Sequence, residues 1–187
     1  RRDGSSQAGQ RTESIQWFTP TMELAAANRL QLQDDLRVAI SSRQFQLLIQ
    51  PKVSVASGAV DSGEVLLRWN RPTRGLLAPG AFLDAANDIG LMPAIDDWVL
   101  KHSIKLARQL HRSGQWTTVS VNLSVDSFDD PLLPIRIKDY LTEYGLPPRF
   151  LEIEIPEGTL MHDVGRAMSV TSALEEMGLT LSIDDFG

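Results

Sequence analysis

Residues 151–157 read LEIEIPE. Side chains alternate along an extended strand, so Leu151, Ile153 and Ile155 share one face and Glu152 and Glu154 share the other. Two aligned carboxylates in so apolar a segment repel one another and lose hydration. Something must offset that cost, and its identity bears directly on the fold.

The same alternation recurs along the chain. In EVLLRW (64–69), Val65, Leu67 and Trp69 oppose Glu64, Leu66 and Arg68. Val119, Val121 and Leu123 oppose Ser120 and Asn122, and Leu181 and Ile183 oppose Ser182 and Asp184. An open parallel sheet covered by helices on both sides would read apolar on both faces. Strands with one apolar and one polar face fit a closed barrel better, with the apolar face on a helix ring and the other lining the interior. The expected class is therefore α/β, a (β/α)8 TIM-like barrel. Asn122, Glu154 and Asp184 fall late in their strands, toward the mouth where such barrels place chemistry, whereas Glu64 falls earlier in its own.

The intervening segments agree with strand–helix alternation. Strands are expected over 45–55, 64–69, 117–124, 150–155 and 179–184, with the turn signal ASG after the first. One or two helices are expected over 22–40, followed by a short helix over 79–89 that opens on Pro79. Further helices are expected over 94–112, 131–144 and about 163–177, each followed by glycine. Residues 1–20 are polar and Gly/Ser-rich before IQWF and read as a linker, in which Ile15, Trp17 and Phe18 could dock on a neighbour. Residues 21–42 form an N-terminal helical segment, and 43–187 form the main domain.

Composition narrows the function classes. The 187 residues include 18 basic and 24 acidic ones, for a formal charge of −6. This balance disfavours a nucleic-acid polymer, which needs a basic footprint, but permits a small anion held by a metal or an arginine. Without cysteine there are no disulfides or thiolate sites, which is compatible with a reducing cytoplasm. No apolar run approaches the roughly 18 residues of a membrane span, and no signal-peptide pattern opens the chain.

Oxygen-bearing side chains at 64, 122, 154 and 184, with no Cys or His among them, suit a hard cation such as Mg²⁺ or Mn²⁺. Such an ion would also offset the carboxylate repulsion. The plainer reading is that each acid is a solvated or capping group, with Asp184–Asp185 simply starting a loop. Pattern alone leaves both readings open. His102, His111 and His162 read as surface or capped groups, and Trp69, Trp98 and Trp116 as packing residues. Asp129–Asp130 before Pro131 reads as a helix N-cap.

Taken in order, QPKV (50–53), EVLLRW (64–69), RGLLAPGAFLDAAND (74–88), SVNLS (120–124), LEIEIPE (151–157) and IDDFG (183–187) resemble the EAL domain family, the cyclic di-GMP phosphodiesterases. The resemblance runs from about Leu36 to Gly187. Each motif is weak alone, but the series at these spacings is specific. It implies metal ligands at Glu64, Asn122, Glu154 and Asp184, with Asp185 at a second metal. It implies catalytic roles for Glu64, Glu154 and Asp185, and substrate contacts at Gln50, Leu66, Arg68 and Pro79. The implied reaction is two-metal hydrolysis of cyclic di-GMP to linear pGpG, with Mg²⁺ or Mn²⁺. Residues 1–20 are similar to the tail of a GGDEF domain. The implied partners are cyclic di-GMP and an upstream GGDEF or sensory domain, and a homodimer is also compatible.

The sequence departs from the family pattern in four respects. Val65 replaces alanine, Pro156 replaces threonine, Asn87 replaces glutamate, and the later motifs do not follow Gly187. About five strands are expected where a full barrel has eight, so this chain alone is expected to turn over poorly. The alternatives are a catalytically inactive cyclic di-GMP receptor and a purely structural module.

Overall fold

The computed structural model describes residues 19–72, 74–114, 118–156 and 163–184. The chain opens with helix α1 (Pro20–Ala39), where the Thr19 hydroxyl accepts from Met22 N and Pro20 occupies the first turn. This is one helix where one or two were expected. Only Leu36 and Ala39 of α1 are buried, so its C-terminal end carries the packing.

Strands β1 (Phe45–Val53) and β2 (Val60–Arg71) form an antiparallel hairpin with Gln50 opposite Glu64 and Lys52 opposite Ser62. The register shifts by one residue between Lys52 and Val53. In the turn, Gly58 N donates to Ser54 O at 2.8 Å and Ser54 N donates to Ala59 O at 2.9 Å. Gly58 has φ of 68°, a conformation that glycine adopts without a Cβ penalty.

A three-residue strand, β3 (Gly75–Leu77), folds back on the end of β2. The expected helix over 79–89 is divided into a 3₁₀ turn (Pro79–Ala81) and α2 (Leu83–Asp88), with Phe82 leaving helical geometry between them. Then come α3 (Met92–Arg112), β4 (Thr118–Asn122), the short α4 (Val125–Phe128) and α5 (Leu133–Tyr144). A 3₁₀ turn (Pro148–Phe150) leads into β5 (Leu151–Pro156), followed by α6 (Val164–Glu176) and β6 (Thr180–Asp184). Gly145 ends α5 in the left-handed conformation, the capping role expected of it.

All six strands form one sheet in the order β1-β2-β4-β5-β6, with β3 on β2. The pairs β2–β4, β4–β5 and β5–β6 are parallel, as strands linked by helical crossovers should be. The parallel ladder of β2 runs only from Ser62 to Val65, and the rest of the strand belongs to the hairpin and β3. The architecture is the expected mixed α/β one. Among the described residues it has six strands rather than about five, because β3 is too short to register as a strand in the sequence.

The apolar strand faces pack on the helices. Val65, Val119, Val121, Leu151, Ile153 and Ile155 are buried in one core with Ile95, Val99, Ile104 and Ile137. At its hairpin end, Trp69 lies 5.5 Å from Phe82 and 6.3 Å from Phe45 between ring centroids, and Trp98 is 5.6 Å from Phe45. The Trp69 indole donates to Gln44 Oε1 at 3.0 Å, which satisfies the polar end of a fully buried ring. Trp69 and Trp98 are therefore packing residues as expected; Trp116 lies outside the described residues. No helix among the described residues is long and apolar enough to cross a membrane.

Candidate active site

Strand register assembles the acidic face. Asn122 and Glu154 are direct partners on the β4–β5 ladder. Glu64 pairs with Ser120, one step below Asn122 on the same face, and Asp184 pairs with Pro156, one step above Glu154. The expected residues thus form a staircase across four parallel strands, the stagger that tilted barrel strands require. Because the parallel part of β2 ends at Val65, Glu64 sits at the end of its ladder rather than deep below the others.

Contacts tie these steps together. Asn122 Nδ2 donates to Glu64 Oε1 at 2.8 Å. Glu154 is 6% exposed, and Lys52 Nζ donates to its Oε1 at 2.6 Å. The same ammonium donates to Ser120 Oγ at 2.8 Å, and Ser120 Oγ donates to Glu152 Oε2 at 3.0 Å. The two glutamates of LEIEIPE are therefore held by a lysine from β1 and a serine from β4. Burial draws the Lys52 pKa down, but the Glu154 hydrogen bond and the charges of Glu154, Glu152 and Glu64 outweigh it and leave it above the ordinary lysine value.

Lys52 was not among the residues expected here. The signal lay in parity, since Lys52 shares a strand face with Gln50, two residues earlier.

A second residue without a sequence-based assignment supports the site from behind. Asp96 of α3 is buried and accepts from Ser124 N at 2.9 Å, from Ser124 Oγ and from Ser127 Oγ at 2.6 Å. It pins the turn that leaves Asn122. Burial raises its pKa, against the opposing effect of the serine hydrogen bonds.

Beside this turn lies a cleft of about 330 Å³, lined by Leu66, Pro79, Leu83, Met92, Asp96 and Asn122 among others. Two of the expected substrate contacts, Leu66 and Pro79, border it together with Asn122; Gln50 and Arg68 do not. Gln50 is exposed on β1, and Arg68 Nη1 donates to the adjacent Leu67 O at 2.8 Å. Val65 is buried against the helices, so its extra bulk relative to alanine is absorbed by the core. Pro156 ends β5, where a missing N–H costs little.

For Asp184 the backbone alone is described, and Asp185, Glu157 and His162 lie outside the described residues. Among the described residues no group of three or more His, Cys, Asp or Glu side chains could hold a metal ion. The described part of the expected donor set is two carboxylates and one carboxamide, oxygen ligands of the kind that Mg²⁺ or Mn²⁺ takes. Directly opposite Glu154 on the β5–β6 ladder, the buried Ser182 Oγ has no hydrogen-bond partner among the described residues. In donor chemistry, and in this polar atom left over beside Glu154, the face fits a hydrated divalent ion.

The other singled-out residues are structural. His102 stacks on Trp98 and its Nδ1 lies 2.7 Å from Trp98 O, while His111 packs on Phe150. Asp130 accepts from Leu132 N at 2.9 Å and pairs with Arg136 just before α5. These two contacts hold its carboxyl below the usual range. Asp130 thus organises the start of α5, although the helix begins at Leu133 with no side-chain cap.

The family model described as "EAL domain" matches residues 33–187. The chain is 35% identical over 175 residues to "Cyclic di-GMP phosphodiesterase NbdA" of Pseudomonas aeruginosa, covering 93% of this chain and 22% of that protein. It is 37% identical over 173 residues to "Bifunctional diguanylate cyclase/cyclic di-GMP phosphodiesterase MucR" of the same organism, covering 91% of this chain and 25% of that one. The chain thus spans about a quarter of the length of these curated relatives. Among solved structures, "PaMucR Phosphodiesterase, c-di-GMP complex" superposes with a TM-score of 0.79 at 38% identity, covering 84% of this chain and 64% of that one. The "FimX EAL domain from Pseudomonas aeruginosa bound to c-di-GMP" superposes with a TM-score of 0.75 at 32% identity, covering 83% and 62%. With its motifs in series, its parallel ladder and its acidic staircase, the chain belongs to the EAL domain family.

Proposed function

We propose that this chain forms part of a cyclic di-GMP phosphodiesterase domain that hydrolyses the cyclic dinucleotide to linear pGpG. The observation that carries the reading is the bonded pair Glu64–Asn122, with Asn122 directly opposite Glu154 on a single sheet face, beside a cleft bordered by Leu66 and Pro79. The names of the relatives point to the same substrate.

Glu64, Asn122, Glu154 and Asp184 would hold a divalent cation, Mg²⁺ or Mn²⁺, with Asp185 serving a second. When bound, such ions lower the pKa of water and neutralise charge on the attacked phosphate. The chain's own part is to preorganise these oxygens. Asn122 fixes the Glu64 carboxylate, and Asp96 fixes the turn after Asn122. Leu66 and Pro79 offer an apolar wall to a nucleobase, and Arg68 can turn its planar guanidinium to a phosphodiester oxygen. Gln50, opposite Glu64 on the hairpin, would contact the same ligand from β1. An upstream GGDEF or sensory domain, a homodimeric state and a cytoplasmic location belong to this reading of the whole protein.

The test is turnover and calorimetry on the complete protein with cyclic di-GMP, with and without Mn²⁺. Formation of pGpG that requires Mn²⁺ and is lost in Glu154→Gln is the expected result. Binding without hydrolysis would instead assign a receptor, which Val65, Pro156 and Asn87 would fit. No binding under either condition would leave a structural module.

A further inference from the structure

A cation on the antiparallel edge strand reaches the staircase. Lys52 starts on β1, passes over β2, and reaches Ser120 on β4 and Glu154 on β5. Its side chain is 39% exposed while that of Glu154 is 8% exposed, so the pair joins a solvent-accessible cation to a buried anion. We propose that Lys52 is a resident counter-cation: it neutralises Glu154 when no divalent ion is present, yields that carboxylate to an incoming ion, and thereby sets the affinity for metal. This rests on the reading of Glu154 as a metal ligand.

Three observations support an exchange rather than permanent pairing. First, an ammonium bonded to one Glu154 oxygen and a divalent ion on the same carboxylate would be like charges within a few ångströms, where repulsion is strong in a water-poor site. Second, Lys52 has a route out. Its four-carbon stem is flexible and its side chain is itself 39% exposed, so the ammonium can swing to water while the stem stays on the protein. Third, its departure costs little elsewhere, because Ser120 Oγ keeps its bond to Glu152. Glu154, by contrast, would be left as a buried charge without this partner, so departure is favourable only when a cation replaces the ammonium.

Mn²⁺ titration of the complete protein, followed by the electron paramagnetic resonance of free Mn²⁺, tests the exchange. Lys52→Met and Lys52→Gln should bind Mn²⁺ about tenfold more tightly than wild type, about one decade in Kd. Mn²⁺ should also raise their melting temperatures by more than it raises that of wild type. Lys52→Arg keeps the charge and should bind like wild type. A merely structural lysine would weaken binding when removed. Unchanged or weaker binding in both neutral variants would overturn the proposal, and so would equal tightening in Lys52→Arg. If wild type bound no Mn²⁺, the metal reading itself would fail, an outcome distinct from a wild type that binds and neutral variants that do not tighten.

Discussion

Asn122 and Glu64, 58 residues apart in sequence, are joined by a 2.8 Å hydrogen bond across the β2–β4 ladder. The amide donates to the carboxylate and keeps its carbonyl oxygen for another partner, as the proposed metal site would need. Asn122→Ala should lose about 1.5–3 kcal/mol of stability, since one hydrogen bond to a charged group goes. On the proposed phosphodiesterase reading, hydrolysis of cyclic di-GMP by the complete protein should fall about 10–100-fold. Urea unfolding and product formation measure the two separately, and a variant with the wild-type rate would remove Asn122 from the site.

Glu154→Gln keeps the shape and one acceptor for Lys52 but removes the charge. Stability should change by no more than about 1–3 kcal/mol, while the Mn²⁺ isotherm flattens. An unchanged isotherm would show that Glu154 is not a ligand.

Asp96 supports the turn after Asn122 through Ser124 and Ser127. Asp96→Ala should cost about 2–4 kcal/mol, because the buried Ser127 and half-buried Ser124 donors lose their acceptor. Asp96→Asn keeps an acceptor oxygen and should cost less. Hydrogen exchange should accelerate first over residues 123–128. Uniform acceleration across the chain would instead show that Asp96 acts on the whole core.

Tyr140 of α5 donates to Asp97 of α3 at 2.9 Å, and burial, followed by that carboxylate, pushes the phenol up to about 12. A raised folded-state pKa favours the native state fully below the unfolded value of 10.0, and the advantage fades as pH climbs toward 12. Tyr140→Phe should therefore be less stable than wild type at pH 8 by about 1 kcal/mol, and the gap should close above pH 10. Melting curves across that range decide it. A gap that stays constant with pH would refute the linkage.

The sequence carried the staircase but not its cation. Period-two alternation was enough to put Glu64, Asn122 and Glu154 on one face, because a one-residue error would expose their apolar neighbours. Lys52 went unassigned since lysine is an ordinary surface residue, although Gln50 two positions earlier places it on the same face. Asp96 was equally readable in retrospect: Asp96, Val99, Ser103 and Ala107 all lie on the buried stripe of α3, where a polar residue implies a partner. The partner itself was invisible, since Ser124 and Ser127 come from a different element. β3 and α4 are three and four residues long, below any periodic signal, and are fixed by tertiary pairing.

The hairpin register has a consequence remote from any acidic residue. Lys52 and Gln50 face the staircase only because β1 is held in step with β2, and the single irregularity in that ladder falls right after Lys52. Lengthening or shortening the 54–59 connection by one residue could rotate both side chains to the outside while leaving every carboxylate untouched. A tolerance screen of that surface turn would then behave like one of the pocket, so natural length variation there should be scarcer than its solvent exposure suggests.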